Sequence, residues 1–487
     1  MNITEHIFAS CEPDAIALLG PGEKITYGEL RQLTLAACKD LEASGWILGG
    51  PGRRTRVALH CPNGVDHIIL SLAVLAAGGC LLPVPGELSR RERDNLVSLA
   101  CCDLVLCAGG ARWHREAAQT VPVNGVRQQR ALLCRGILPT EAACCPWEAE
   151  FARLNPALVR FSSGTTGTSK GVVLSHEALL QRVIAGNSGM KIGQGDRIIW
   201  ILPMAHHFAV SIVLYLLHGA CTVLLSSHLA EDIDRGIREH RGTVLYGAPF
   251  HYQLLSEYAP GRPHDCLRLA VSTAAPLSPE TARAFRNRYG LPLTQGLGII
   301  EVGLPLLNCL GAESDPLSVG SPQAGFEARL CGVDADGIGE LLLRGPGLFD
   351  AYLSPWQTRR AVLDADGWFH TGDLCTIAAD GQVTLRGRTK SVINVAGIKV
   401  FAEQVEAVLN TCPGVRESRV VAEPHPAVGE IPVAELVACN ENQPPSFAEL
   451  LSFCREHLSA YHMPVKVRWV EALPRTASGK LKRNTSL

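Results

Sequence analysis

The sequence has no excess of charge of either sign, since its 487 residues include 45 lysines and arginines and 47 aspartates and glutamates. This balance argues against a protein that coats nucleic acid or binds an anionic membrane surface. There is also no C-x-x-C pair among the 18 cysteines, which excludes a zinc ribbon and a thioredoxin-type redox motif. We expect buried, reduced thiols in a globular protein of about three domain-sized units.

The sequence also lacks a recognisable targeting or membrane segment. The first fifteen residues have no basic stretch followed by an apolar one, so we expect no secretory signal and a cytoplasmic protein. Two segments, 68–85 and 198–225, contain no Asp, Glu, Lys or Arg. The first is broken by two adjacent glycines, and the second contains Pro203 and three histidines, which are costly in lipid. Both are better explained as buried strand–helix–strand segments.

Two patterns of secondary structure divide the first part of the chain. Short apolar runs alternate with helical patterns through the first 300 residues, as at 57–59, 65–77 and 80–82. This alternation predicts βαβ units and parallel sheets covered by helices. From about residue 325, short strands separated by Asp-Gly turns predict antiparallel hairpins in a small barrel-like part.

A small α+β pattern follows from Ser391, with helices expected over 402–409 and 447–457. The predicted fold class is therefore α/β with α+β. We expect three parts: a large N-terminal core domain over residues 1–388, a hinge at 389–390, and a small mobile C-terminal domain over 391–487.

Residues 161–171, FSSGTTGTSKG, contain six hydroxyl residues and three glycines between two apolar strands. Backbone N–H groups, side-chain hydroxyls and the ammonium of Lys170 are what a phosphate-holding loop requires. A flexible linker would explain neither the lysine nor the apolar flanks. The spacing differs from the Walker A pattern, G-x-x-x-x-G-K-S/T. The expected phosphate contacts are Ser162, Ser163, Gly164, Thr165, Thr166, Gly167 and Lys170.

Further motifs follow this loop in a fixed order. They are LPMAH at 202–206, STAAPL at 272–277, QGLGIIE at 295–301, GWFHTGDL at 367–374, GRTK at 387–390 and PRTASGK at 474–480. With the loop, they resemble the adenylate-forming superfamily of acyl- and aryl-CoA synthetases, luciferases and peptide-synthetase adenylation domains. The resemblance covers essentially the whole chain. It implies an acid–thiol ligase that uses ATP and Mg²⁺ to convert a carboxylic acid into acyl-AMP.

The resemblance also implies roles for individual residues. Glu301 is similar to the family's Mg²⁺ ligand, and Asp373 to the carboxylate on the ribose diol. Arg388 is expected on the ribose or a phosphate. Lys480 is expected to be the catalytic cation between the acid and the α-phosphate, with Thr166 as a further catalytic residue. The remaining nucleotide contacts are Thr273, Ala274, Ala275, Gly296, Leu297 and Gly298.

Four positions depart from the family pattern. Leu297 stands where an aromatic residue usually stacks on adenine, and Ile300 where a threonine usually approaches the α-phosphate. Ser169 replaces a proline, and Asn394 replaces a lysine that is common after the hinge. A catalytically impaired nucleotide-binding protein is therefore an alternative. The residues that argue against it are Lys170, Glu301, Asp373, Arg388 and Lys480.

The segment 203–211 has no carboxylate to pair with the ammonium of an α-amino acid. Its His206-His207 pair is similar to the Ala-His-Asn segment of stand-alone aryl-acid adenylating enzymes, with His207 in the place of the asparagine that contacts a ring substituent. Alternatively, both histidines merely close a buried turn. We expect an apolar pocket for an aromatic or compact aliphatic acid, and a fatty-acid ligase is an alternative. The pocket residues are His206, His207, Gln295, Gly298 and Ile300.

The sequence ends seven residues after Lys480, so we expect the acceptor thiol on a separate molecule. Either CoA or a stand-alone acyl carrier protein would present it on phosphopantetheine. Gly397 is similar to the glycine that lines the family's pantetheine tunnel, where a Cβ would obstruct the arm. Lys390 occupies the position of the hinge residue. No nucleic-acid partner and no membrane span are expected.

Overall fold

The structure is a computed structural model. It describes residues 1–47, 52–108, 119–127, 131–135, 146–161, 170–258, 264–273, 275, 277–309, 318–395, 398–426, 428–440, 443–475 and 481–482. Among the described helices, none combines the length and apolar character needed to cross a membrane.

The strands of the first half of the chain are β1 (Ile16–Gly20), β2 (Glu23–Thr26), β3 (Arg56–His60), β4 (Cys80–Pro83), β5 (Leu104–Ala108), β6 (Gln119–Val123), β7 (Ala131–Arg135), β8 (Pro156–Phe161), β9 (Gly171–Ser175), β10 (Arg197–Trp200), β11 (Cys221–Leu224) and β12 (Val244–Gly247). Those of the second half are β13 (Leu269–Ser272), β14 (Leu293–Ile299), β15 (Gly303–Asn308), β16 (Ser318–Pro322), β17 (Glu327–Cys331), β18 (Gly339–Arg344), β19 (Ala351–Leu353), β20 (Trp356–Thr358), β21 (Phe369–Ile377), β22 (Val383–Arg388), β23 (Val392–Val395), β24 (Ile398–Phe401), β25 (Val415–His425), β26 (Gly429–Ala438) and β27 (Lys466–Trp469).

The helices are α1 (Ile3–Ala9), α2 (Tyr27–Ala43), α3 (Val65–Ala76), α4 (Arg90–Leu99), α5 (Glu148–Arg153), α6 (His176–Gly186), α7 (Met204–His207), α8 (Val213–Leu217), α9 (Ala230–Glu239), α10 (Pro249–Glu257), α11 (Pro279–Tyr289), α12 (Arg359–Val362), α13 (Ala402–Leu409) and α14 (Phe447–His457). A π-helical turn, Phe208–Ile212, joins α7 to α8, and 3₁₀ turns lie at Thr389–Ser391 and Ala460–His462.

Local sequence explains where several helices begin. Thr26 caps α2 through the N–H of Glu29, and the Glu29 carboxylate accepts from the N–H of Thr26 in return. Ser446 and Glu449 form the same reciprocal pair at the start of α14. Such capping boxes satisfy N–H groups that have no partner within the helix, which explains why the predicted limits of α14 agree with the structure.

Two large sheets form the first part of the molecule. A nine-stranded sheet has the order β20-β19-β9-β8-β4-β3-β5-β7-β6, with parallel pairing among β8, β4, β3 and β5. A thirteen-stranded sheet has the order β17-β18-β21-β22-β16-β15-β14-β13-β12-β10-β11-β1-β2. Its strands from β14 to β1 are parallel, and the antiparallel strands expected after residue 325 extend it at one end.

The main core joins these two sheets. Its buried apolar side chains come from strands of both sheets and from the helices α2, α3, α6 and α8 between them. A separate five-stranded sheet contains β24, β23, β26, β25 and β27, and its core is shared with α13 and α14. The architecture confirms the predicted fold class. The predicted hinge residues 389–390 lie in the 3₁₀ turn between β22 and β23, the connection from one sheet to the next.

Candidate active site

Two described residues among the predicted nucleotide contacts, Lys170 and Thr273, lie next to strand ends in the two large sheets. β8 ends at Phe161, and Lys170 directly precedes β9. Thr273 follows β13, which runs parallel to β14. Ligands of α/β proteins bind at the carboxyl ends of such strands, so this edge is the expected site. The predicted contacts that lie outside the described residues are Ser162, Ser163, Gly164, Thr165, Thr166, Gly167, Ala274, Gly397, Lys480 and the side chain of Lys390.

Glu301 is held by a tyrosine from the other sheet. The hydroxyl of Tyr352, in β19, donates a hydrogen bond of 2.9 Å to Oε1 of Glu301. The ring of the same tyrosine faces Lys170, whose Nζ lies 4.4 Å from the ring centroid. Burial raises the pKa of Tyr352, and the charge of Glu301 raises it further, so the hydroxyl stays protonated as a donor. One aromatic side chain therefore positions both the carboxylate and the ammonium.

Arg182, a buried residue of α6, fixes the main chain around Glu301. Its guanidinium donates to the carbonyl oxygens of Ile300 at 2.9 Å and Glu301 at 3.3 Å. It also donates to the carbonyl of Gly347 at 2.6 Å. A Cβ at Gly347 would lie 2.5 Å from the backbone nitrogen of Arg182, and the φ of +69° also favours glycine. Burial lowers the pKa of Arg182 to about 10, which leaves the side chain charged at neutral pH.

Sequence reasoning missed Tyr352, Arg182 and also Arg160, a residue of β8. A signal existed for the two arginines, because Arg160 interrupts an apolar strand and Arg182 lies on the buried face of α6. A cation at a core position usually has a specific partner. Tyr352 gives no such signal, since its contact with Glu301 depends on the pairing of β19 with β9.

If Glu301 binds the expected Mg²⁺, Tyr352→Phe should weaken Mg²⁺ binding without unfolding the protein. A hydrogen bond to a charged group contributes about 1.5–3 kcal/mol, so the Mg²⁺ concentration for half-maximal activity should rise roughly 10-fold. Tyr289→Phe is a matched control, because it removes a buried hydroxyl that donates to the carbonyl of Leu255. Equal Mg²⁺ dependence of the two variants would show that Tyr352 does not position Glu301.

The predicted adenine-side residues differ in accessibility. Thr273 is buried, and its hydroxyl donates to the carbonyl of Gly296 at 3.3 Å. Gln295 is also buried, and its amide donates to the carbonyl of Ser318 at 3.0 Å. That bond ties β14 to β16. The other predicted contacts are exposed or partly buried: Ala275, Leu297, Gly298 and Ile300.

The two predicted pocket histidines have different surroundings. Nε2 of His206 lies 2.8 Å from Oε1 of Glu87. Burial opposes the charge of Glu87, but the hydrogen bond with His206, a backbone hydrogen bond and the charge of His206 together lower the pKa of Glu87. The ring of His207 lies edge-on to Trp200, with centroids 5.8 Å apart. The π-helical turn begins at the next residue, Phe208, and such turns frequently occur at functional sites.

The structure brings the two predicted ribose residues together. Asp373 in β21 and Arg388 in β22 are direct cross-strand partners. Nε of Arg388 lies 2.7 Å from Oδ1 of Asp373. The carboxylate is buried, whereas half of the arginine side chain is exposed. The ion pair therefore fixes the direction of the carboxylate beside the 3₁₀ turn that follows β22.

Comparison with known proteins agrees with this geometry. The model of AMP-binding enzymes matches residues 7–353, and that of the AMP-binding enzyme C-terminal domain matches residues 404–480. The chain belongs to the AMP-binding enzyme family. This AMP-binding enzyme is 32% identical to 4-coumarate--CoA ligase 1 of Oryza sativa subsp. japonica, over 95% of this chain and 87% of that protein.

A second relative is a (7a-methyl-1,5-dioxo-octahydro-1H-inden-4-yl)propanoyl:CoA ligase of Mycobacterium tuberculosis, 30% identical over 97% of this chain and 95% of that protein. The ATP-bound RpMatB-BxBclM chimera B3 superposes with a TM-score of 0.82 at 25% identity, over 99% and 97% of the two chains. The AMP-binding enzyme described here is an AMP-forming acid–thiol ligase, which confirms the predicted reaction class.

Proposed function

We propose that this enzyme activates a ring-bearing carboxylic acid with ATP and transfers the acyl group from acyl-AMP to CoA. The observation that carries the proposal is the contact of Tyr352 with both Glu301 and Lys170 at the carboxyl end of β8. That contact holds a carboxylate and an ammonium beside a loop rich in glycine and hydroxyl residues. Both named relatives are CoA ligases of acids that carry a ring, which supports the same substrate class here.

The residues present fit a magnesium ion. Mg²⁺ usually takes one or two protein carboxylates, with waters and substrate phosphates as its other ligands. Glu301 offers one carboxylate, of which Oε1 is already oriented by Tyr352. Within the described residues there is no cluster of three or more His, Cys, Asp or Glu that would form a cage of protein ligands. When bound, the ion would offset the charge of the triphosphate.

In the proposed first step, an oxygen of the acid attacks the α-phosphorus of ATP, and the bond to the pyrophosphate oxygen breaks. Lys170 and Lys480 would lower the repulsion between the two anions. Asp373 would orient the ribose through its hydroxyls, with Arg388 holding that carboxylate in place. The products are acyl-AMP and pyrophosphate.

In the proposed second step, the thiol sulfur attacks the acyl carbon and AMP leaves. Gly397 would line the entry of the pantetheine arm, and residues 389–390 would act as the hinge between the domains 1–388 and 391–487. CoA is the acceptor that the named relatives support, with a holo acyl carrier protein as the alternative. A cytoplasmic location also stays a prediction.

The surroundings of His207 support an acid with a polar ring substituent. Its partly buried imidazole lies against Trp200, and the neighbouring segment 208–213 is apolar apart from Ser211. His207 stands in the place of the asparagine that contacts a ring substituent in aryl-acid adenylating enzymes, so it is our candidate for contact with a substrate hydroxyl or carbonyl.

We expect a preference for a hydroxyl-substituted aromatic acid over the unsubstituted acid of roughly 5- to 150-fold, because an unpaired buried polar group costs about 1–3 kcal/mol. His207→Ala should reduce this preference by slowing the substituted acid. His218→Ala is the matched control, since its ring contacts the carbonyl of Leu214 on α8. A rate of thioester formation that rises with alkyl chain length and is unchanged by His207→Ala would instead indicate a fatty-acid ligase.

The overall test incubates the purified protein with ATP, Mg²⁺ and a panel of acids, with either CoA or a holo acyl carrier protein. Mass spectrometry of the thioester then identifies the acid and the acceptor. Thioester on CoA with a ring-bearing acid is the expected result. Thioester on the carrier protein alone would mean that the carrier protein, and not CoA, is the acceptor. Absence of both AMP and thioester would indicate an impaired nucleotide-binding protein.

A further inference from the structure

The pairing of β21 with its neighbour β18 is interrupted beside Asp373. The register of the two strands shifts between Glu340 and Leu342. At this shift, residues 371–373 lie opposite Leu341 alone, so β21 bulges out of the regular pairing. Bulges are frequent next to active sites, where they change the direction of a side chain. The direction of the Asp373 carboxylate therefore depends on the groups that hold the bulge.

The side chain of Glu340 holds the bulge from β18. Its Oε1 accepts a hydrogen bond of 3.0 Å from the backbone N–H of Gly372, whose φ of +72° lies in the left-handed region. Its Oε2 lies 2.9 Å from Nδ1 of His370. One partly buried carboxylate thus contacts both the middle of the bulge and the residue that precedes it. It supplies an acceptor at the point where the regular pairing is interrupted.

The main chain of Asp373 is fixed to the same strand. The hydroxyl of Thr371 donates to the carbonyl of Leu341 at 2.8 Å and accepts from the N–H of Asp373 at 3.0 Å. Asp373 itself is buried, and its Oδ1 pairs with Arg388. If Glu340 released the bulge, the main chain could relax and this carboxylate would turn from its present direction.

The bulge is also held from the predicted hinge. The carbonyl of Gly372 accepts from the hydroxyl of Thr389, in the 3₁₀ turn after β22, at 3.2 Å. Under the proposed function, this turn rotates between the two half-reactions, while the AMP part of acyl-AMP stays bound through both. The bonds of Glu340 lie within one sheet and can persist during that rotation. Glu340 is therefore suited to keep the bulge fixed throughout.

We propose that Glu340 is a positioning residue for the ribose of ATP and of acyl-AMP. By holding the bulge, it directs the carboxylate of Asp373 to the two ribose hydroxyls, for which a carboxylate has two acceptor oxygens. It acts through the backbone of Gly372, without contact with the nucleotide. The proposal rests on the proposed function, because it assumes that Asp373 binds the ribose.

The test compares ATP with dideoxy-ATP, whose ribose lacks both hydroxyls. In isothermal titration calorimetry, Glu340→Ala should weaken ATP binding about 10-fold, the factor for one lost hydrogen bond to a charged group. The affinity for dideoxy-ATP should stay unchanged. The KM for ATP should rise by the same factor, while kcat at saturating ATP is kept. Glu340→Gln, which retains an acceptor for the N–H of Gly372, should restore most of the affinity.

Glu327→Ala is the matched control, since it removes a carboxylate of the neighbouring strand β17 that pairs with Arg344 at 2.8 Å. It should leave both affinities unchanged. Glu340→Asp keeps the charge but withdraws the acceptor by one methylene. It should weaken ATP binding in the same direction, and it serves if the alanine variant does not fold.

No loss of ATP affinity in Glu340→Ala, or an equal loss for ATP and dideoxy-ATP, would overturn the role of Glu340. Asp373→Asn separates this failure from a failure of the proposed function. If Asp373→Asn weakens ATP binding and Glu340→Ala does not, only the positioning role is wrong. If the unaltered enzyme binds ATP and dideoxy-ATP equally, Asp373 does not bind the ribose and both proposals are wrong on this point.

Discussion

Replacing Lys480 with alanine should reduce acid-dependent ATP–pyrophosphate exchange at least about 100-fold, because a positioned cation contributes ~3 kcal/mol to such a transition state. Conversion of preformed acyl-AMP into thioester should continue at nearly the original rate, because the thiol attacks the acyl carbon and no bond to phosphorus forms or breaks. Rapid-quench measurement of each half-reaction separates the two. An equal loss in both would mean that Lys480 has a structural role.

The residues on either side of Lys480 are attached to the five-stranded sheet. Arg475 and Leu481 form an antiparallel bridge, and the backbone N–H of Lys482 donates to the carbonyl of Pro474 at 2.8 Å. The carbonyl of Lys482 accepts from Arg419 in β25. Both flanks are thus attached to the five-stranded sheet, and Lys480 would travel with it. Lys482→Ala is the matched control, since it removes an exposed ammonium and keeps these backbone contacts.

Lys390→Pro should leave acyl-AMP formation intact and slow thioester formation by about two orders of magnitude, the factor that corresponds to ~3 kcal/mol for a misplaced proline. In the proposed hinge mechanism, the two steps would need two placements of the C-terminal domain, and a few backbone dihedrals at residues 389–390 would change between them. Proline fixes φ at its own position and disfavours the helical conformation of Thr389, the first residue of the 3₁₀ turn.

Lys390→Ala controls for loss of the side chain, because it leaves the backbone free to rotate. We expect it to support both half-reactions. If Lys390→Pro formed thioester at the normal rate from preformed acyl-AMP and saturating CoA, residues 389–390 would not be the hinge. A loss of acyl-AMP formation as large as the loss of thioester would point to disruption of the neighbouring Asp373–Arg388 pair instead.

The sequence alone predicted the features that depend on residues close to one another along the chain. The limits of α13 and α14 follow from apolar periodicity and from the cap at Ser446, both of which act within a few residues. The loop after β8 was recognisable for the same reason, because its glycines, hydroxyls and Lys170 are consecutive.

The contacts that hold the site could not be predicted in this way. Tyr352 reaches Glu301 because β19 pairs with β9, a strand that lies far earlier in the chain. Nothing near either residue in the sequence signals that pairing. The same applies to Gln295, whose amide is directed to the carbonyl of Ser318 by the packing of β14 and β16, whereas the sequence suggested an acid-pocket role that stays a prediction.

The three carbonyl contacts of Arg182 have a mechanical consequence. α6 follows a strand of the nine-stranded sheet, whereas Ile300 and Glu301 lie between two strands of the thirteen-stranded sheet. Sliding one sheet past the other would leave the buried guanidinium of Arg182 without acceptors and its carbonyl partners without donors. Unpaired buried polar groups are costly. The two sheets therefore behave as a single stiff frame. We therefore expect any displacement during turnover to occur at the short connection after β22, with the spacing between Glu301 and Lys170 kept constant.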